Sequence, residues 1–186
     1  MKKNLIETYF NKLDLALNKI NKKEIHSLFY FLQDSSKNKN KIFICGNGGS
    51  AANSNHIAND YTYGVNLKLK NKINIESLCA NDSVITCLAN DTGYENIFSE
   101  QIKVKGKKQD KLILLSGSGN SKNILNACKV AKRMGIDTFA IVGFNGGKLK
   151  VISNKFIHIN INDMQIAEDC QLILFHICLK MFWNKK

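Results

Sequence analysis

Twice in this chain a short apolar run ends in a loop built only from glycine, serine and asparagine, and a helical pattern starts directly after it. The segments are Lys41-Ile-Phe-Ile-Cys-Gly-Asn-Gly-Gly-Ser50 and Lys111-Leu-Ile-Leu-Leu-Ser-Gly-Ser-Gly-Asn-Ser121. An aliphatic run bounded by such a loop reads as a fully buried strand. Buried strands that feed helices belong to parallel sheets covered on both faces. The loop geometry aims backbone N–H groups, hydroxyls and a helix N-terminus at one point, which suits an anion such as a phosphate. Two such loops in a chain of 186 residues predict one phosphorylated ligand held from both sides.

The rest of the chain repeats the alternation. From residue 41 the pattern predicts strands near 41–45, 73–78, 111–116, 137–142 and 155–161. Helices are predicted near 50–63, 81–90, 94–103, 121–134 and 164–182, and Asn145-Gly146-Gly147 reads as a loop. Residues 1–36 carry apolar positions at helical spacing, broken at Asn21, Lys22 and Lys23, which predicts a helical hairpin. The expected fold is one α/β domain over 1–186: a parallel five-stranded sheet flanked by helices, a three-layer sandwich of flavodoxin-like or Rossmann-like type. The hairpin (1–36) precedes an α/β core (41–186). Ligands of such sheets sit beyond the carboxyl ends of the strands, so both loops belong to that edge.

Composition narrows the partners. The net charge is +12, yet of 27 basic residues only Arg133 is arginine, and the lysines are scattered. Nucleic-acid recognition draws on arginine forks and clustered stripes, so no nucleic-acid partner is expected. The six cysteines include no Cys-x-x-Cys pair and read as small core residues of a reduced compartment. The first residues lack a signal-peptide core, and the apolar stretch from Cys170 to Trp183 is too short to span a bilayer. A cytoplasmic location with no membrane partner is expected.

The first loop also satisfies the dinucleotide pattern G-x-G-x-x-A, with Glu76 placed as a ribose-binding acid. That reading leaves the second loop unexplained, whereas a single phosphate uses both. His56 and Asp60 stand one turn apart on the helix leaving the first loop, and Glu168 and His176 stand two turns apart on the last helix. His176 taken alone reads as a core histidine.

The order Gly46-Asn-Gly-Gly-Ser-Ala51, His56 with an acid at 60, Asn90-Asp91-x-Gly93-Tyr94, Ser116-x-Ser118-Gly-Asn-Ser121 and His176 in a C-terminal helix resembles the phosphoheptose isomerases. These are sugar-isomerase (SIS) domain enzymes acting on sedoheptulose 7-phosphate. The resemblance implies that Ser116, Ser118 and Ser121 hold the phosphate, that Asn47, Gly48, Gly49 and Ser50 line the sugar, and that Asn90 and Asp91 contact substrate. The family's catalytic glutamate is Asp60 here, a glutamine that meets metal or substrate is Glu168, and a hydroxyl residue is Gly117.

Moving a carbonyl between C2 and C1 needs a base beside the carbonyl and an acid at its oxygen. Asp60 and His176 are expected to divide that work, with Glu168 assisting. His56, Asp60, Glu168 and His176 together form a divalent-metal set suited to zinc. The resemblance further implies a homotetramer serving heptose synthesis for surface polysaccharide. The same domain also serves other sugar-phosphate isomerases and non-catalytic regulators. An acid at 60 with histidines at 56 and 176 favours catalysis, because a pure scaffold needs none of them.

Overall fold

The structure, a computed structural model, describes residues 4–184. Two helices come first, α1 (Leu5–Lys19) and α2 (Lys22–Asn38), each opened by an asparagine. Asn4 accepts from the Ile6 N–H and Asn21 accepts from the Lys23 N–H, satisfying donors that a helix start leaves without partners. Residues 1–3 of the expected hairpin lie outside the described residues.

Strands and helices then alternate: β1 (Lys41–Cys45), α3 (Gly49–Asn59), β2 (Asn74–Ser77), α4 (Asp82–Thr92), α5 (Ile97–Lys105), β3 (Lys111–Ser116), α6 (Lys122–Arg133), β4 (Asp137–Val142), α7 (Gly147–Ile152), β5 (Lys155–His158) and α8 (Met164–Trp183). The strands form one parallel sheet in the order β2-β1-β3-β4-β5. Ile42 and Ile44 of β1 join a core with α2, α3 and α8, while Phe43 and Cys45 join the opposite core with α5 and α6. That alternation is the period-two pleat of a strand buried on both faces. The hairpin supplies Ala16, Leu28, Phe31 and Leu32 to the first core, and Phe31 meets Phe139 of β4 edge-on at 5.3 Å.

The strand order sets the position of the site. The chain steps outward from β1 to β2, then returns past β1 to β3, so its direction of winding reverses between β1 and β3. Ligands of open α/β sheets bind at this switch point. The two strands that flank it are those whose C-terminal ends carry the Gly/Ser loops.

Several boundaries differ from expectation, among them the helix expected over 94–103, which is a 3-10 turn, Tyr94–Asn96, followed by α5. The helix expected over 50–63 is α3 followed by a π-helical turn, Asp60–Val65, and a short 3-10 turn, Asn66–Lys68. The Asn145-Gly146-Gly147 loop runs straight into α7, a single short helix whose only buried residue is Leu149 and which periodicity could not reveal. β5 ends at His158: Ile159 still bonds the Val142 carbonyl, but the Ile161 N–H turns back onto Ile159 and leaves the ladder. Five of the six cysteines are buried, as expected of core residues. Cys87 is exposed, because α4 buries none of its side chains. Among the described residues no helix is long and apolar enough to cross a membrane.

Candidate active site

The first loop turns at Gly48, whose φ of 55° favours glycine, and delivers the chain into α3 without a side-chain cap. Ser50, just inside the helix, is buried and its hydroxyl accepts from Gln171 of α8 at 3.1 Å. Gln171 also accepts from Asn53, which donates to the Glu168 carbonyl as well, both at 3.0 Å. α3 and α8 therefore lie side by side, and because residues 50 and 53 meet 168–171 while His56 meets His176, they run the same way.

In the second loop the Ser116 hydroxyl accepts from the Gly119 N–H at 3.0 Å, and Ser118 accepts from the Asn120 N–H at 3.2 Å. Ser121 opens α6 with no cap from its own side chain. Gly119 is required there: its φ is 65°, and a Cβ would collide with the Gly146 carbonyl. All eight loop positions expected to bind ligand, 47–50, 116–118 and 121, line one cavity of about 260 Å³, closed on its far side by Met164 and Glu168.

The Asn47 side chain is already engaged. It exchanges reciprocal amide hydrogen bonds with Asn123 at 2.9 and 2.8 Å, and Tyr94 donates to its carbonyl oxygen at 3.1 Å. Asn90 and Asp91 do not line this cavity. They lie at the exposed end of α4, where the Asn90 amide donates to Asp91 at 2.9 Å. Glu76 is held on β2 by Lys41 and Lys105, not at a ribose position. Burial pushes its carboxyl up, but the two lysines outweigh this and hold it below its ordinary value.

At the other end of α3, His56, Asp60 and His176 converge. His56 Nε2, His176 Nε2 and Asp60 Oδ2 are each 3.3 Å from the other two. An ion that holds tetrahedral ligands at about 2.0–2.1 Å spaces them about 3.3 Å apart, so this triangle matches one face of a zinc-sized site. The donor set of two imidazoles and a carboxylate suits such an ion and leaves one position open. Asp60 opens the π-helical turn, a feature common at functional sites. Tyr61 beside it is fully buried and donates to the Phe175 carbonyl at 2.8 Å, fastening the turn to α8 next to His176. Burial holds the Tyr61 phenol well above its ordinary range.

Glu168 is not part of this triangle. Its carboxylate lies against Gly49 in the loop cavity. Eight residues of helix separate it from His176, about 12 Å of rise, and the register of α3 against α8 sends the two side chains to opposite ends of α3. The set of four metal donors read from the sequence is therefore three donors here, with the fourth acid in the loop cavity.

A family model described as SIS domain matches residues 8–143. The phosphoheptose isomerase of Helicobacter pylori strain P12 is 36% identical over 180 residues, covering 93% of each chain. The chain belongs to the phosphoheptose isomerase family. The family member from Akkermansia muciniphila is 38% identical over 161 residues, covering 81% of this chain and 84% of that protein. A solved phosphoheptose isomerase structure from Neisseria gonorrhoeae shares the fold with a TM-score of 0.90 at 24% identity, over the whole of both chains.

Gly117 stands where the family resemblance puts a hydroxyl residue, and the space of that side chain is filled by the Met164 thioether. Sequence reasoning missed Gln171, Asn123 and Tyr61. Gln171 gave one signal, a polar group inside an apolar helical run, whereas Asn123 and Tyr61 sit among polar neighbours; burial turns each into an obligatory hydrogen-bonding partner.

Proposed function

We propose that this chain is an aldose–ketose isomerase that interconverts sedoheptulose 7-phosphate and glycero-manno-heptose 7-phosphate, in heptose synthesis for surface polysaccharide in the cytoplasm. One observation carries the reading: an anion cavity and an acid–imidazole cluster stand at opposite ends of the paired helices α3 and α8. From Gly49 to His56 α3 rises about 10 Å. An extended chain advances about 3.5 Å per three bonds, so the eight bonds from phosphorus to C1 of a heptulose 7-phosphate span roughly 9 Å. Such a ligand reaches from one end to the other.

The loop serines and helix starts grip the phosphate, and that remote binding energy fixes the reacting end. There a proton moves from C1 to C2 while the carbonyl passes from C2 to C1. Asp60 presents Oδ2 to the imidazoles, which leaves Oδ1 to take and return the carbon-bound proton. Without an ion, His176 delivers and retrieves the proton at oxygen through Nε2. His56, Asp60 and His176 would hold a divalent ion, zinc by ligand type and spacing. When bound, it supplies a Lewis acid that polarises the substrate oxygen.

The exposed Leu5, Ile6 and Phe10 of α1 are apolar surface suited to burial in a homotetramer. In that assembly Asn90 and Asp91 serve a neighbouring subunit's site. The test is incubation with sedoheptulose 7-phosphate followed by NMR. Appearance of the aldose in wild type, and its loss in Asp60→Asn and His176→Ala, is the expected result. Binding without turnover in wild type overturns the isomerase reading.

A further inference from the structure

The wall of the loop cavity is unusual for an anion site. It combines serine hydroxyls with two helix starts but includes no lysine or arginine among the described residues, in a chain of net charge +12. What it does include is a carboxylate. Glu168 lies so close against the Gly49 Cα that a single methyl group there would overlap it. Gly49 is the first residue of α3, and no side chain caps that helix. The carboxylate thus stands where unpaired N–H groups and the helix dipole favour negative charge. Asn53 holds the Glu168 backbone in place through its carbonyl. At the start of α6 no side chain caps the helix and its first turn holds no acidic residue.

We propose that Glu168 is a built-in anion on the first loop and thereby a specificity-determining residue of the cavity. The proposal rests on the reading of that cavity as the phosphate site. The ligand's phosphate is then seated by Ser116, Ser118, Ser121 and the start of α6, while the first loop is closed to a second phosphate. The Glu168 carboxylate, which accepts and cannot donate, instead takes hydrogen bonds from hydroxyl groups of the ligand. The cavity so built selects a polyhydroxylated monophosphate and rejects a bisphosphate, because a like charge set against the carboxylate is costly.

The test is equilibrium binding of inorganic phosphate to the full chain by calorimetry, at low and high salt. Glu168→Gln and Glu168→Ala both remove the charge and should bind phosphate about tenfold more tightly than wild type at low salt. The margin should shrink at high salt, where charges are screened. Glu168→Asp keeps the charge and should show no gain. If Ser118→Ala weakens phosphate binding but both charge-removing variants match or fall below wild type, the Glu168 proposal is overturned and the phosphate site stands. If neither wild type nor any variant binds phosphate, the reading of the cavity falls and this proposal with it.

Discussion

The amide pair that joins the two loops makes a quantitative prediction. Asn123 is 2% exposed and takes part in three hydrogen bonds: two exchanged with Asn47, and one accepted from the Ile124 N–H at 2.9 Å. At about 1 kcal/mol net for each bond, Asn123→Ala should cost about 3 kcal/mol. For a chain of this size that lowers the melting temperature by roughly 6–12 °C. Asn47→Ala removes the same two shared bonds and should cost about 2 kcal/mol, its half-buried position allowing water to reach what remains. Because the shared bonds can be lost only once, the double variant should be about 2 kcal/mol more stable than the sum of the single effects predicts. Urea unfolding of wild type, both single variants and the double variant measures this coupling. A coupling below about 0.5 kcal/mol, the additivity of unconnected sites, would refute the idea that this pair locks the loops together.

Other consequences are as direct. His176→Ala removes one corner of the donor triangle, so zinc retained after native purification should fall to background in that variant by elemental analysis. Tyr61→Phe leaves the Phe175 carbonyl without its buried donor and should cost about 1–2 kcal/mol in urea unfolding, with a fall in kcat at nearly unchanged KM, since the phosphate end is untouched. Gly117→Ala meets only the flexible thioether end of the exposed Met164, which can swing aside, so it should change stability by less than about 1 kcal/mol in urea unfolding. Tyr9 donates to Asp169 at 2.7 Å, and this bond, with burial and nearby acids, pushes its phenol from 10.0 up to about 12. A raised folded-state value means the contribution is complete below pH 10 and is lost as pH climbs toward 12, so Tyr9→Phe should flatten the alkaline fall in stability over that window.

Much of this architecture is legible from residue types alone, because period and punctuation are local properties. The apolar runs 41–45, 111–116 and 137–142 match β1, β3 and β4, and both Gly/Ser loops reach the sheet's carboxyl edge. His56 and Asp60 meet because residues one helical turn apart share a face. Glu168 shows where such reasoning ends. Its spacing from His176 places both on α8, but the end of α3 that each side chain meets depends on how two helices pack, a property no single segment contains. The π-helical turn at Asp60 is hidden for the same reason: its buried Tyr61 is tied to α8, a contact that no single segment contains. Gln171 and Asn123 look like ordinary polar residues until burial commits them to partners.

The parallel alignment of α3 and α8 has one more consequence. In the proposed mechanism affinity and chemistry are attached to different ends of the same two helices and share no side chain: Ser50, Gln171 and Glu168 stand at one end and His56, Asp60 and His176 at the other. The two properties are separable in inheritance. Substitutions confined to the histidine end can silence turnover and leave an intact receptor, and substitutions at the loop end can retune what is gripped while the reacting groups stay as they are. A scaffold divided in this way can pass between catalyst and sensor without rebuilding its core.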